Sequence, residues 1–376
     1  MVVPCTSVTP NVSNRTLVVR GQVPQATRER VLRDPFFLPI LFVGVNVESQ
    51  LSTRQESWSE YWQSGAMHSC VGSLDDAYGG AIGDYWRRAI AQWPRNTRLL
   101  DVATGNGPLP KLMASVNPEL VIRGVDLADI APPWWSASDY PNVRMIGNTA
   151  LADAASVLSE LEGSEFRFDV IVSQFGWEYI PRPDSVETCL ELIMPGGRWQ
   201  FVCHHAQGVL ARVARSEVSN LQLLLAEDGL LAQAMRMIPY VREAATGGSK
   251  ALSGDPQANA VRLAFNAAMN TVSAQIASSS APDVLVQVRQ GVHDLLQRTA
   301  RDLTYAADAQ LDQWRRHLDT GLLRSTELVD HALTAHDVDA IFQQVSAIAP
   351  GVQCNRSELT QEQGTLAWAL EFQFAS

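Results

Sequence analysis

Five short apolar runs recur between residues 98 and 203, at 98–103, 120–125, 142–146, 168–173 and 198–203. Helix-period stretches at 108–116, 151–161 and 183–193 fall among them. Short apolar runs alternating with helices dictate parallel strands, because parallel neighbours need a crossover connection. Two further runs close the chain, 352–359 and 365–374, joined by a turn at Gln363 and Gly364. Strands joined by so tight a turn are antiparallel. The second alternates Leu366, Trp368, Leu370, Phe372 and Phe374 on one face, the period of a half-buried strand. The expected fold class is α/β, a seven-stranded, mostly parallel sheet with a terminal antiparallel hairpin.

Between the fifth and sixth strands the chain changes character. Residues 206–240, 256–278, 283–304 and 307–319 all carry helical spacing, broken at Gly247-Gly248-Ser249 and at 278–282. Thr334 with Asp337 three residues on is a capping-box signature that opens one more helix, to about Ala349. The apolar stripe Val209, Leu210, Val213, Leu221, Leu224 and Leu225 suits either a helix–helix core or a dimer interface, and the pattern alone leaves both open. At the other end, the first twenty residues read as a loose tail, and 24–50 as mixed, with a short helix or hairpin. The stretch 54–72 is dense in aromatic and small residues, and 81–93 is helical up to the stop at Pro94. The expected organisation is an N-terminal extension and lid (1–75), a sheet domain (76–205 with 334–376) and a helical insertion (206–333).

Composition narrows the function. Of 376 residues, 29 are Lys or Arg and 40 are Asp or Glu, a net charge of −11. Binding nucleic acid by its phosphates needs a basic face, so no nucleic-acid partner is expected. Hydrophobic residues at 46% and charged residues at 18% exclude wholesale disorder. The five cysteines are odd in number and scattered, without a CxxC pair, which argues against a disulfide framework or zinc site and for a reducing compartment. No signal-peptide pattern opens the sequence, and the most apolar stretch, 36–47, is too short for a bilayer and contains Pro39. A cytoplasmic protein without a membrane partner is expected.

The chemistry concentrates at LLDVATGNGPLP, residues 99–110. A strand runs into Asp101, then Ala103, Gly105 and Gly107, then a helix. In an open α/β sheet this turn borders the ligand crevice, and small residues let backbone approach a ligand. The next strand ends at Asp126, 21 residues past Gly105, where a carboxylate accepts hydrogen bonds from ribose hydroxyls. Both an NAD site and an S-adenosylmethionine site have this form. The dinucleotide fingerprint needs a third glycine where Pro110 stands. Asp101 inside the turn suits an ammonium group and repels a pyrophosphate, and the terminal hairpin also favours the second cofactor.

These segments together resemble the class I S-adenosylmethionine-dependent methyltransferases. LLDVATGNG resembles their first motif, in the form seen in quinone-biosynthesis methyltransferases, and VIRGVDLAD (121–129) their acidic second motif. FDVIVSQFGWEY (168–179) and LIMPGGRWQFV (192–202) resemble the fourth-strand motif and the turn and strand after it. The resemblance covers roughly 80–205 and 334–376 and implies a Rossmann-like sheet and S-adenosylmethionine as cofactor. It implies that Asp101, Ala103, Gly105, Asn106 and Gly107 cradle the methionine half. Asp126 would hold the ribose and Leu127 pack on the adenine. Asn148 and Thr149 would face the adenine amine, although the family often has Asp at the first of these. Ser173 and Gln174 would floor the sulfonium.

Methyl transfer to an oxygen needs a deprotonated acceptor and therefore a positioned base. Candidates are Glu178 after the fourth strand and His204 or His205 at the end of the fifth, of which only one histidine should face the cleft, since consecutive strand residues alternate. The seven histidines are scattered with no HxxxH pair on one helix, so a metal-free reaction is expected. Tyr61, Trp62 and His68 of the aromatic stretch, with Phe175, Trp177 and Tyr179, are candidates for lid or substrate contacts. The expected activity is O-methylation of a small organic molecule in specialised, natural-product biosynthesis. Three alternatives stand beside it: N- or C-methylation of a peptide or carrier-bound chain, a non-catalytic cofactor-binding regulator, and an NAD-dependent oxidoreductase.

Overall fold

The chain divides into two compact units, Met1–Val47 and Glu48–Ser376, and the computed structural model describes residues 47–69, 79–163, 166–182, 184–248 and 252–376. The expected tail, the mixed segment up to residue 46, the lid residues after Ser69 and the break at Ser249 lie outside the described residues.

β1 (Arg98–Val102) is central, parallel to β2 (Val121–Val125) on one side and β4 (Phe168–Gln174) on the other. β3 (Val143–Ile146) lies beyond β2, and β5 (Ile193–His204) beyond β4. β7 (Gly364–Gln373) runs antiparallel between β5 and β6 (Gln353–Gln361), giving the order β3-β2-β1-β4-β5-β7-β6. This is the Rossmann-like, seven-stranded, mostly parallel sheet that the alternation predicts. Strand order reverses at β1, so a crevice opens outside the carboxyl ends of β1 and β4, the place where open α/β sheets hold ligands.

Period-two alternation sorts the strand residues onto two cores. Leu100, Val102, Val125, Ile171, Trp199 and Phe201 face one side, under α4 (Leu151–Glu162), α5 (Asp184–Leu192) and α11 (Ala335–Ile348). Leu99, Ile122, Val170, Val172 and Val202 face the other, under α2 (Gly80–Ile90) and α3 (Pro108–Val116). Each fully buried side chain of this size stabilises the fold by about 1.5–3 kcal/mol. β7 departs from the half-buried strand its alternation predicts. It is an inner strand, so Ala367 and Ala369 are also buried, against Ile82 and Leu210, and the polar edge falls to β6. β5 starts five residues early, because Phe168 pairs with Ile193 and Val170 with Arg198, so the Pro195-Gly196-Gly197 segment bulges.

Among the described residues, five α-helices separate β5 from α11: α6 (Val209–Leu225), α7 (Leu230–Glu243), α8 (Pro256–Ser278), α9 (Asp283–Arg301) and α10 (Ala307–His331). They share a third core around Leu224, Leu230, Ile238, Val292 and Leu311. The stretch 206–240 splits into α6 and α7, with Gly229 as the second helix's N-cap. α10 runs twelve residues past the expected 319, through Gly321; burial of Leu318 and Leu328 outweighs the glycine's cost of about 1 kcal/mol. At the start of α11, Thr334 accepts the Asp337 N–H and Asp337 accepts the Thr334 N–H, the predicted capping box. Among the described residues no helix is long and apolar enough to cross a membrane, and no group of three His, Cys, Asp or Glu could hold a metal.

Candidate functional site

Three of the sheet's parallel strands end in a residue that is uncomfortable there. Ala103 after β1 (φ 54°), Asn148 after β3 (φ 53°) and Phe175 after β4 (φ 55°) occupy the left-handed region without being glycine. A fourth described residue of this kind, Asn96, precedes β1. Such positions cost about 1–3 kcal/mol each and cluster where function over-determines the backbone. Ala103 and Phe175 line one crevice, which encloses a cavity of about 280 Å³, and Asn148 directly precedes Thr149 of its lining.

Two buried carboxylates line it. Asp101 accepts a hydrogen bond from the Thr104 hydroxyl at 2.6 Å. Asp126 accepts the Gly105 N–H at 2.7 Å and the Ala128 N–H at 2.8 Å. Burial pushes the Asp101 carboxyl up to about 8, with the Asp126 charge adding and the Thr104 bond opposing. Burial likewise raises Asp126 to about 6 against the pull of its two backbone N–H groups. Neither has an ion-pair partner among the described residues. A carboxylate has roughly four lone-pair sites, so both keep acceptor capacity toward the cavity. A ligand that brings a cation to Asp101 and hydroxyls to Asp126 fits this pair; a pyrophosphate does not.

Ala103, Leu127, Thr149, Gln174 and Phe175 line the same cavity, as do Trp62, His68 and Tyr179. Other candidate residues lie elsewhere, each for a visible reason. The Gly105 Cα faces the Trp62 indole, which a Cβ would meet at 2.6 Å, and Gly107 faces the Met145 methyl at the same distance, so both glycines serve packing. The Asn106 amide donates to Trp62 O (2.8 Å) and Ala66 O (2.7 Å) and accepts from Ala131 N–H (2.9 Å); it is spent pinning the lid. Asn148 turns into a surface net with Gln55 and Asp129, both at 3.2 Å, so the adenine-facing role expected of it has no support. Ser173 is not at the cavity floor: its hydroxyl donates to Val102 O (2.7 Å) and accepts the Trp177 N–H (3.0 Å). Trp177 stacks on Phe201 in the core, with centroids 4.8 Å apart. The Tyr61 hydroxyl donates to His68 O, and its ring faces a second cavity.

The expected bases also sit differently from their expected place. His205 turns to the far side of the sheet, stacked on Trp368 at 4.5 Å, and burial lowers its pKa. His204 faces the cleft side but is buried beneath Phe175, ring on ring at 4.2 Å. Glu178 Oε1 lies 2.8 Å from both the His204 N–H and its Nδ1, so Nδ1 carries the proton toward the carboxylate. Neither side chain lines the cavity. The group of this cluster that does is Tyr179, whose hydroxyl is 3.5 Å from His204 Nδ1.

Sequence reasoning missed Arg54 and Trp58. Both stand on α1 (Val47–Gln63) and line the cavity. Arg54 reaches Glu327 and His331 on α10 and the Tyr179 carbonyl, and so ties α1, insertion and crevice together. Its partner Glu327 is 273 residues away, a pairing that no local pattern signals. Trp58, stacked on Trp62 at 5.7 Å, was visible as part of the aromatic stretch.

No family model matches the chain, and no curated protein sequence matches it. Solved structures do. An S-adenosylmethionine-dependent methyltransferase from Agrobacterium tumefaciens is 12% identical over 33% of this chain and 44% of that one, with a TM-score of 0.26. The chain thus spans less than half that protein's length. The Burkholderia thailandensis 1,6-didemethyltoxoflavin-N1-methyltransferase is 21% identical over 45% of this chain and 69% of its own, with a TM-score of 0.33. The plantazolicin methyltransferase BpumL, in complex with a monoazolic desmethylPZN analog and SAH, is 7% identical over 88% and 89%, with a TM-score of 0.37.

Proposed function

We propose that the chain is an S-adenosylmethionine-dependent methyltransferase acting on a small organic acceptor, with oxygen as the methylated atom. The observation that carries this reading is the pair of buried, cation-free carboxylates at the ends of adjacent parallel strands, Asp101 and Asp126. Asp101 offers a negative charge to an ammonium group, and Asp126 offers free lone pairs to ribose hydroxyls. Leu127 supplies an apolar face for a base, with Thr149 beside it. An oxidoreductase that binds NAD would have to seat a pyrophosphate against Asp101, which disfavours it. A peptide or carrier-bound acceptor is the second reading, because helices of the insertion line a neighbouring cavity, and the acidic net charge of −11 argues against nucleic acid as acceptor.

When bound, the cofactor supplies a methyl group that is already electrophilic on its sulfonium. The chain's part is to align the acceptor, exclude water and remove a proton. Trp58, Trp62 and Phe175 line the cavity with apolar surface. The Tyr179 phenol is the polar group best able to orient an acceptor hydroxyl, and the buried His204–Glu178 pair packs behind it, with the His204 ring edge-on to the Tyr179 ring at 5.9 Å. Calorimetric titration tests the reading: S-adenosylhomocysteine is expected to bind and NADH not to, and the reverse result overturns it.

A further inference from the structure

Beside the cofactor cavity lies a second one of about 220 Å³, bounded by α1, α6, the start of α9 and α10, and sharing Trp58, Ser69 and Tyr179 with the first. Leu210, Val213, Leu221, Leu318 and Leu328 make most of it apolar. The exception is Arg324. Its guanidinium lies over the Tyr61 ring at 4.4 Å and near Trp58 at 5.9 Å, yet none of its donors meets a carboxylate or carbonyl oxygen among the described residues. A guanidinium has five N–H donors, and leaving them unpaired while partly buried is costly. The cation–π contacts recover only part of this.

Resting on the methyltransferase reading, the geometry points to this chamber as the acceptor site, taking an amphipathic organic acid whose carboxylate pairs with Arg324 and whose apolar body fills the leucine-lined end. The methyl-accepting group then faces the cofactor cavity between Trp58 and Tyr179, the residues common to both spaces. Four other titratable groups line the chamber, Glu217, His317, Tyr61 and Tyr179. Glu217 is held by the Ser325 hydroxyl at 3.2 Å, and its charge and that of Glu60 act on Arg324 from a distance, without an ion pair to the guanidinium among the described residues, so its donors stay open to an incoming carboxylate. Gly321 keeps the space open: a Cβ there would meet only Leu221 Cδ1 at 3.8 Å and Arg324 Nη2 at 4.0 Å, so larger side chains would project into the void.

The test uses the full chain and three probes of one shape, phenylbutyrate, phenylbutanol and phenylbutylamine, titrated calorimetrically alongside S-adenosylhomocysteine. Phenylbutyrate is expected to bind at least tenfold more tightly than the alcohol, with the amine weakest. Arg324→Met should abolish that preference, and Gly321→Leu, which also raises helix propensity, should abolish binding of the acid. Both variants should keep S-adenosylhomocysteine affinity within about twofold, which also reports that they fold. Equal binding of acid and alcohol, an unchanged preference in Arg324→Met, or unchanged binding in Gly321→Leu overturns the inference. If the probes behave as expected but S-adenosylhomocysteine does not bind the wild-type chain, the chamber stands and the methyltransferase reading fails.

Discussion

The two cavity carboxylates make the site's electrostatics testable by pH. With Asp101 at about 8, most of the ligand-free protein carries it protonated at pH 7, and an ammonium group binds the ionised form. Affinity for S-adenosylhomocysteine should therefore rise with pH through the neutral range and flatten above about 8, and binding at pH 7 should release a proton, seen as a calorimetric enthalpy that depends on the buffer. Affinity that falls over this range would contradict the assignment. The stability sign follows from the same shifts. Carboxyls raised on folding stabilise fully below their unfolded pKa, and that contribution is lost as pH rises through about 6 for Asp126 and about 8 for Asp101. The ligand-free protein should melt at a lower temperature at pH 9 than at pH 5.5 on account of this pair, and bound ligand should shrink the difference. Replacing Asp126 with Ala should weaken S-adenosylhomocysteine binding by about 1–3 kcal/mol, the scale for hydrogen bonds to a charged group; calorimetric affinity equal to wild type would remove Asp126 from the site.

At the scale of elements, α1 is held over the crevice by contacts at its middle and at its C-terminal end. Asn106 grips the carbonyls of Trp62 and Ala66, and Arg54 binds Glu327, His331 and the Tyr179 carbonyl. Between them Trp62 rests on Gly105. Gly105→Ala puts a methyl 2.6 Å from a rigid indole at φ 54°, where strain alone costs about 1–2 kcal/mol. Amide exchange in α1 should accelerate and S-adenosylhomocysteine affinity should fall. Gly163→Ala is the control for strain, because its φ is 98° but nothing lies within 4 Å; it should destabilise without touching α1 exchange. Equal exchange in both variants would mean that Trp62 does not seat the helix. The same position marks the limit of sequence reading. The glycine-rich turn after β1 was legible because its conformation is local. What approaches it was not, because Trp62 and Met145 come from distant parts of the chain. The alternation of strands and helices up to β5 and the capping box at Thr334 were legible for the same local reason, whereas the placing of His204 behind Phe175 depends on a backbone turn at φ 55° that no residue type announces.

Across the whole molecule, the insertion has its own hydrophobic core, and its α6 also places Leu210 in one of the two cores that flank the sheet; its coupling to the crevice runs through a few long-range ties. Helical spacing predicted the insertion but left open whether it covers the site or pairs two subunits. The inner faces of α6 and α10 line the second cavity, and Arg54 joins α10 to the lid. Ligand binding therefore should stabilise α10 selectively. A ligand at one hundred times its Kd adds about 2.7 kcal/mol to any opening that releases it and nothing to an opening that leaves it bound. With S-adenosylhomocysteine at that excess, amides of α10 around Glu327 should gain up to about a hundredfold in protection from hydrogen exchange, if their opening requires Arg54 to let go. Amides of α8, which lines neither cavity, should gain little. In Arg54→Met the gain at α10 should disappear, while the sheet strands β1 and β4 keep theirs. Removing one partner of this partly buried ion pair should also cost about 1–3 kcal/mol of thermal stability. An equal gain across α8 and α10 would mean that the insertion and the sheet open as one unit, and no gain at α10 would mean that the Arg54 tie does not carry the coupling.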